Sequence, residues 1–225
     1  GTSIVVTELY EDVKRRVADG VFEGQLRDAL AKTYAYYLTK FVRIELNGIA
    51  VDALSVQIGS NFTSDKFQVD GVTCAIAAGL GVPNKAGYRD RSSGWFVFCN
   101  GRAVISADKT ALTGWGLPSI GLPIFQPKHR PFLGTVFFVS EDAEKLPWTT
   151  TKNAINEDSD VWQMAKRQMA TIGRTVVNFL DGRYSDEGTD VPTKDLLEAG
   201  GQGSLSAMSA SMSEKHSFKR QVQPT

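Results

Sequence analysis

The chain has 225 residues, a hydrophobic share of 42%, and 25 Lys plus Arg against 25 Asp plus Glu. Balanced charge gives no overall field that would draw it to nucleic acid or to an anionic membrane, and no apolar run approaches the ~18 residues that a bilayer span needs. The apolar share suffices for a sizeable core, and the length allows one large domain, or one full domain with a piece of another and a tail.

In chain order, Gly1-Thr2-Ser3-Ile4-Val5-Val6-Thr7 opens directly on a β-branched run, which predicts a strand with no preceding cap. Helical patterns follow over residues 10–18 and 21–38. In the second, Phe22, Leu26, Leu30, Tyr34, Tyr37 and Leu38 recur at helical spacing, which predicts a stripe facing the core. Phe41-Val42-Arg43-Ile44-Glu45-Leu46 alternates, and Asn47-Gly48 supplies the positive φ angles of a tight hairpin before Ile49-Ala50-Val51.

Residues 59–66 are looser and read as a connection. The run Gly71-Val72-Thr73-Cys74-Ala75-Ile76-Ala77-Ala78 predicts a buried strand, and residues 79–93 a long loop rich in Gly, Asn and Arg. Trp95-Phe96-Val97-Phe98-Cys99 and Ala103-Val104-Ile105 flank Asn100-Gly101-Arg102, a second predicted hairpin. Residues 110–130 are rich in Gly and Pro. They carry Trp115, Phe125 and the cluster Lys128-His129-Arg130, which reads as solvated loop surface. A strand is predicted over 135–139.

An acidic loop, Ser140-Glu141-Asp142-Ala143-Glu144, leads to Leu146-Pro147-Trp148-Thr149-Thr150-Thr151-Lys152-Asn153-Ala154-Ile155. Pro147 and Trp148 anchor this loop, three hydroxyls follow, and one lysine precedes an acidic helix start. A lysine offered on a short braced loop can meet a phosphate as a point charge. Thr and Asn are also ordinary residues before a helix, where their side chains bond free backbone N–H groups. Residues 159–180 then carry one apolar stripe, Val161, Trp162, Ala165, Met169, Ile172, Val176 and Phe179. The stripe should lie across the sheet with Lys166 and Arg167 in water, and Asp181-Gly182 should end the helix.

Beyond Tyr184 the composition shifts to Gly, Ser and polar residues, which predicts a flexible tail without a packed core. Both ends read as cut. Cys74 and Cys99 sit in strand-like runs as small buried hydrophobes. With no Cys-x-x-Cys and with His129 and His216 far apart, no zinc site is expected. A cytoplasmic location fits best.

Together these pieces resemble the end of a GHKL ATPase domain followed by its transducer domain, in the style of the MutL, MORC, gyrase-B and ninety-kilodalton heat-shock chaperone families. Gly1-Thr2 before a β-branched strand is similar to the Gly-Thr motif that closes the family's nucleotide site after the ATP lid. Asn100-Gly101-Arg102 after an aromatic strand resembles the Asn-(Gly/Asn)-Arg hairpin of MutL and MORC transducers, and residues 147–153 stand where those families place the loop whose basic residue reaches the γ-phosphate.

The resemblance covers residues 1–180 and implies an α+β fold. Residues 1–58 would be the C-terminal end of a GHKL α/β sandwich. Residues 59–184 would be a ribosomal-protein-like transducer with a left-handed β-α-β crossover, and residues 185–225 a tail. It implies nucleotide contacts from Gly1, Thr2, Thr150, Thr151 and Lys152, with Lys152 as the catalytic switch lysine. ATP and Mg²⁺ would be held by the complete protein, which would pair as a homodimer. The family's magnesium-binding Glu/Asn helix, Asp-x-Gly motif and glycine-rich lid are not in this chain, so tight ATP binding or hydrolysis is not expected of these residues alone, and their partner would be the missing N-terminal ATPase half. The competing functions are a nucleic-acid-binding module, through Arg89-Asp90-Arg91 and Lys128-His129-Arg130, and a pure protein-interaction domain. DNA binding draws no support from the net charge.

Overall fold

The computed structural model describes residues 2–39, 41–82, 92–117 and 121–187. Gly1, the Arg89-Asp90-Arg91 cluster, most of the 79–93 loop and nearly all of the predicted tail lie outside the described residues.

Helices α1 (Glu11–Val17), α2 (Gly20–Thr33) and α3 (Ala35–Leu38) come first, then the small hairpin of β1 (Glu45–Leu46) and β2 (Ile49–Ala50). A mixed five-stranded sheet follows, built from β3 (Ile58–Val69), β4 (Val72–Gly81), β5 (Gly94–Cys99), β6 (Arg102–Asp108) and β7 (Phe132–Val139) in the order β3-β4-β7-β5-β6. Helix α4 (Asp160–Glu187) closes the described chain. The protein is thus α+β. Neighbouring strands are antiparallel except β5 and β7, which run parallel. Their connection is β6 and short 3-10 turns at Ala111–Thr113 and Pro127–His129. Among the described residues no α-helix joins two strands of this sheet, so the helical crossover implied by the resemblance is not seen among them.

Three turns fix the hairpin registers. Asn47-Gly48, Asp70-Gly71 and Asn100-Gly101 all hold left-handed φ angles, 52° and 75°, 48° and 74°, 45° and 80°. That pairing matches the right-handed twist of the strands it joins. The first and third are the predicted hairpins.

Both faces of the sheet are covered, which is why its central strands read as continuous apolar runs. Alternate residues divide between two cores. Val72, Cys74, Ile76, Ala78 and Leu80 of β4, Trp95, Val97 and Cys99 of β5, and Phe132, Val136 and Phe138 of β7 meet the stripe of α4. Trp162, Ala165, Met169, Ile172 and Val176 are all buried there, as the spacing predicts. Ala75, Ala77, Phe96, Phe98, Leu133 and Phe137 face the other way, toward Ala35, Val56 and Ile58. Phe98 and Phe137 stack there at 4.8 Å.

Several expectations change. Ile4, Val5 and Val6 form no strand and are exposed, because no neighbouring chain pairs with them among the described residues. Residues 59–66 are not a loose connection but part of β3, which spends its polar side chains on a sheet edge and pairs with β4 alone. The helical pattern 21–38 breaks at Tyr34 into α2 and α3. Its apolar stripe is half-buried rather than core, since α2 and α3 lie along the edge strand β6 and are covered on one side only. Lys166 is half-buried beside Glu157, whereas Arg167 is exposed. Asp181-Gly182 does not stop α4; the helix continues to Glu187, because Gly182 does not take the left-handed φ of a glycine that ends a helix.

Candidate functional site

The lysine loop rises between β7 and α4. A bridge between Trp148 and Ile155 closes its base, with Thr149 N–H donating to the Ala154 carbonyl at 2.9 Å and Asn156 N–H to the Pro147 carbonyl at 3.1 Å. Leu146, Pro147 and Ile155 are buried, and the Trp148 indole N–H donates to the Ala143 carbonyl at 2.9 Å. The proline and tryptophan therefore act as the anchor that their position suggested.

At the tip, Thr149 Oγ1 lies 3.1 Å from Thr151 Oγ1, and Thr151 donates to Asn153 Oδ1 at 2.6 Å. Lys152 takes φ 56°, a left-handed conformation uncommon for a residue with a Cβ. Its N–H donates to the Thr149 carbonyl at 2.8 Å, and its own carbonyl accepts from Arg102 Nε at 3.1 Å. The Lys152 side chain is exposed, with Nζ 4.9 Å from the centre of the Trp148 ring. No carboxylate pairs with it among the described residues. An ammonium over an aromatic face is held by the ring quadrupole but keeps its charge available to an incoming anion.

Arg102 comes from the Asn100-Gly101-Arg102 hairpin, which serves as a junction. The Asn100 amide clamps the end of β7, donating to the Ser140 carbonyl at 2.8 Å and accepting from the Ser140 N–H at 3.0 Å. The Asn100 carbonyl accepts from the Tyr37 hydroxyl. Arg102 Nη1 lies 3.3 Å from the Tyr34 hydroxyl, and the guanidinium sits 5.7 Å from the centre of the Tyr34 ring. A Cβ at Gly101 would fall 2.8 Å from Tyr36 Cδ1 and 2.9 Å from Tyr37 Cζ, so only glycine lets the hairpin approach α3 this closely.

Of the residues expected to contact nucleotide, Thr150, Thr151 and Lys152 share this loop and are exposed. Thr2 is exposed and lies in no helix or strand, and no hydrogen bond or ring contact joins it to the loop among the described residues. Gly1 lies outside the described residues. Two supports of the loop, Arg102 and Tyr34, carried no site role in the sequence. Arg102 was visible only as the third letter of a hairpin, and Tyr34 only as one position of an apolar stripe.

The Lys128-His129-Arg130 cluster is not simply solvated. His129 is buried, its Nδ1 accepts from the Gln126 N–H at 3.1 Å, and Nε2 lies 2.9 Å from Asp181 Oδ1. A ring nitrogen that accepts carries no hydrogen, so Nε2 donates to Asp181. Lys128 Nζ reaches the same Asp181 oxygen at 2.9 Å. Partial burial pushes the Asp181 carboxyl upward, but the hydrogen bonds from Lys128 and His129 outweigh it and leave its pKa below the usual 3.8. Among the described residues no three His, Cys, Asp or Glu side chains gather as a metal site, and no helix is long and apolar enough to cross a membrane. No protein-family model matches the chain, and no match was found among curated proteins.

Proposed function

We propose that residues 1–58 are the end of a GHKL-type ATPase domain and residues 59–184 its transducer, which couples ATP binding and hydrolysis to conformational change or dimerisation. The observation that carries this reading is a meeting in space. The Asn100-Gly101-Arg102 hairpin and the lysine loop each resemble a family motif, they are 50 positions apart, and Arg102 Nε bonds the Lys152 carbonyl at 3.1 Å. An exposed ammonium with no carboxylate partner among the described residues suits a phosphate oxygen. ATP bound with Mg²⁺ would supply the phosphoryl group, and Lys152, with Thr150 and Thr151 beside it, would supply positioning and a positive charge. The nucleic-acid alternative is weaker, because Lys128 is paired and His129 is buried.

The test is steady-state ATP turnover at saturating nucleotide in the longer protein that this reading requires. Lys152→Ala should lower turnover roughly 10²-fold or more while leaving ATP affinity within a few-fold. Lys152→Arg should rescue it only in part, since a planar fork does not reproduce a point charge. An alanine variant that turns over like wild type ends the reading.

A further inference from the structure

We infer that Arg102 is the positioning residue for Lys152, tying the lysine loop to the N-terminal helices through Tyr34; its catalytic consequence rests on the function proposed above. A left-handed backbone costs free energy for a residue with a Cβ, so Lys152 keeps φ 56° only if something holds it. Two hydrogen bonds do so, from its own N–H to Thr149 and from Arg102 Nε to its carbonyl at 3.1 Å.

The same guanidinium reaches the Tyr34 hydroxyl at 3.3 Å and lies over the Tyr34 ring. Guanidinium is a rigid, permanently charged fork, so an arginine engaged at Nε and Nη1 transmits displacement from one partner to the other. Tyr34 stands at the break between α2 and α3, and the tyrosines after it crowd Gly101. Helix and hairpin therefore cannot slide independently. A shift of α2 and α3 reaches the lysine through Arg102, and engagement of the lysine pulls on Tyr34.

The brace is tested on this chain without nucleotide, by amide hydrogen exchange. Arg102→Gln should speed exchange of the Lys152 amide about tenfold, as loss of one hydrogen bond to a charged donor predicts, while amides of β5 and β7 keep their protection. Arg102→Lys should not restore it, because one ammonium cannot serve both partners. Tyr34→Phe, which keeps the ring and loses the hydroxyl, should give a smaller rise, about threefold. It also serves as the test if the arginine variants do not fold. Unchanged Lys152 exchange in Arg102→Gln, or in Tyr34→Phe where that variant alone folds, overturns the inference, as does a rise matched throughout β5 and β7. In the nucleotide-hydrolysing protein, Arg102→Gln should lower kcat with KM unchanged and add nothing to Lys152→Ala. A normal kcat in Arg102→Gln beside a slow Lys152→Ala removes the positioning role but leaves the proposed function standing. A fast Lys152→Ala ends that function and leaves the exchange result to judge the brace.

Discussion

His129 Nε2 lies 2.9 Å from Asp181 Oδ1, so a buried imidazole in the turn before β7 is bonded to α4 within its last two turns. The carboxylate holds two donors at once, Lys128 and His129.

Asp181→Asn should therefore cost about 1–2 kcal/mol at pH 7, at the low end for charged hydrogen bonds because the side chain is partly exposed. The folded pKa is depressed, so the charge contributes its full stability above the usual 3.8 and loses it as pH falls through the lower folded value. Urea denaturation of both proteins at neutral and acid pH checks this. The gap should close in acid, and equal midpoints at pH 7 would show that the contact contributes nothing.

Trp162 is fully buried and its ring lies 6.2 Å from that of Phe138. Trp162→Ala should cost about 3–5 kcal/mol, while Arg167→Ala on the exposed face of the same helix should stay within about 0.5 kcal/mol of wild type. Chemical denaturation of the two variants side by side reads the orientation of the helix directly.

Two glycines should respond in opposite directions. A Cβ at Gly134 would overlap the Trp95 indole, so Gly134→Ala should cost about 2–3 kcal/mol. At Gly182 a Cβ meets nothing within 4 Å. Gly182→Ala should raise stability by about 0.5–1 kcal/mol through helix propensity alone. Thermal melts decide it, and a stabilised Gly134→Ala would mean that β5 and β7 pack differently.

The thiols should be inert. Burial pushes Cys99 up to about 12 and Cys74 well above the ordinary thiol value, and the thiolate is the reactive form. A maleimide at pH 7 should label neither cysteine in the native chain and both in urea. Rapid native labelling of either would place it outside the core.

The hairpins at Asn47-Gly48 and Asn100-Gly101 were legible because a left-handed turn has few sequence solutions. Asp70-Gly71 makes the same turn, but Gly71 was read as the start of a strand and no hairpin was expected there, since residues 59–66 lacked an apolar pattern. Pairing with β4 overrides that polarity, and Gly79 gives the bulged edge room, for a Cβ there would lie 2.8 Å from the Asn61 carbonyl. The α4 stripe was legible because a helix laid on a sheet repeats a single contact every turn. The junction was not. Nothing local to Arg102 says that its guanidinium meets a carbonyl 50 positions on, because that contact exists only once β6 and the lysine loop stand side by side.

Strand β7 sits between β4 and β5, although both precede it in the chain. During synthesis the β3-β4 and β5-β6 hairpins can each close as soon as they emerge, but they cannot join until Phe132–Val139 arrives to fill the gap. Until then β4 and β5 present bare apolar edges, and a nascent chain stalled before Phe132 offers two open templates for pairing with other chains. The order of the strands thus leaves both edges open throughout the interval before Phe132, and the arrival of β7 closes them together.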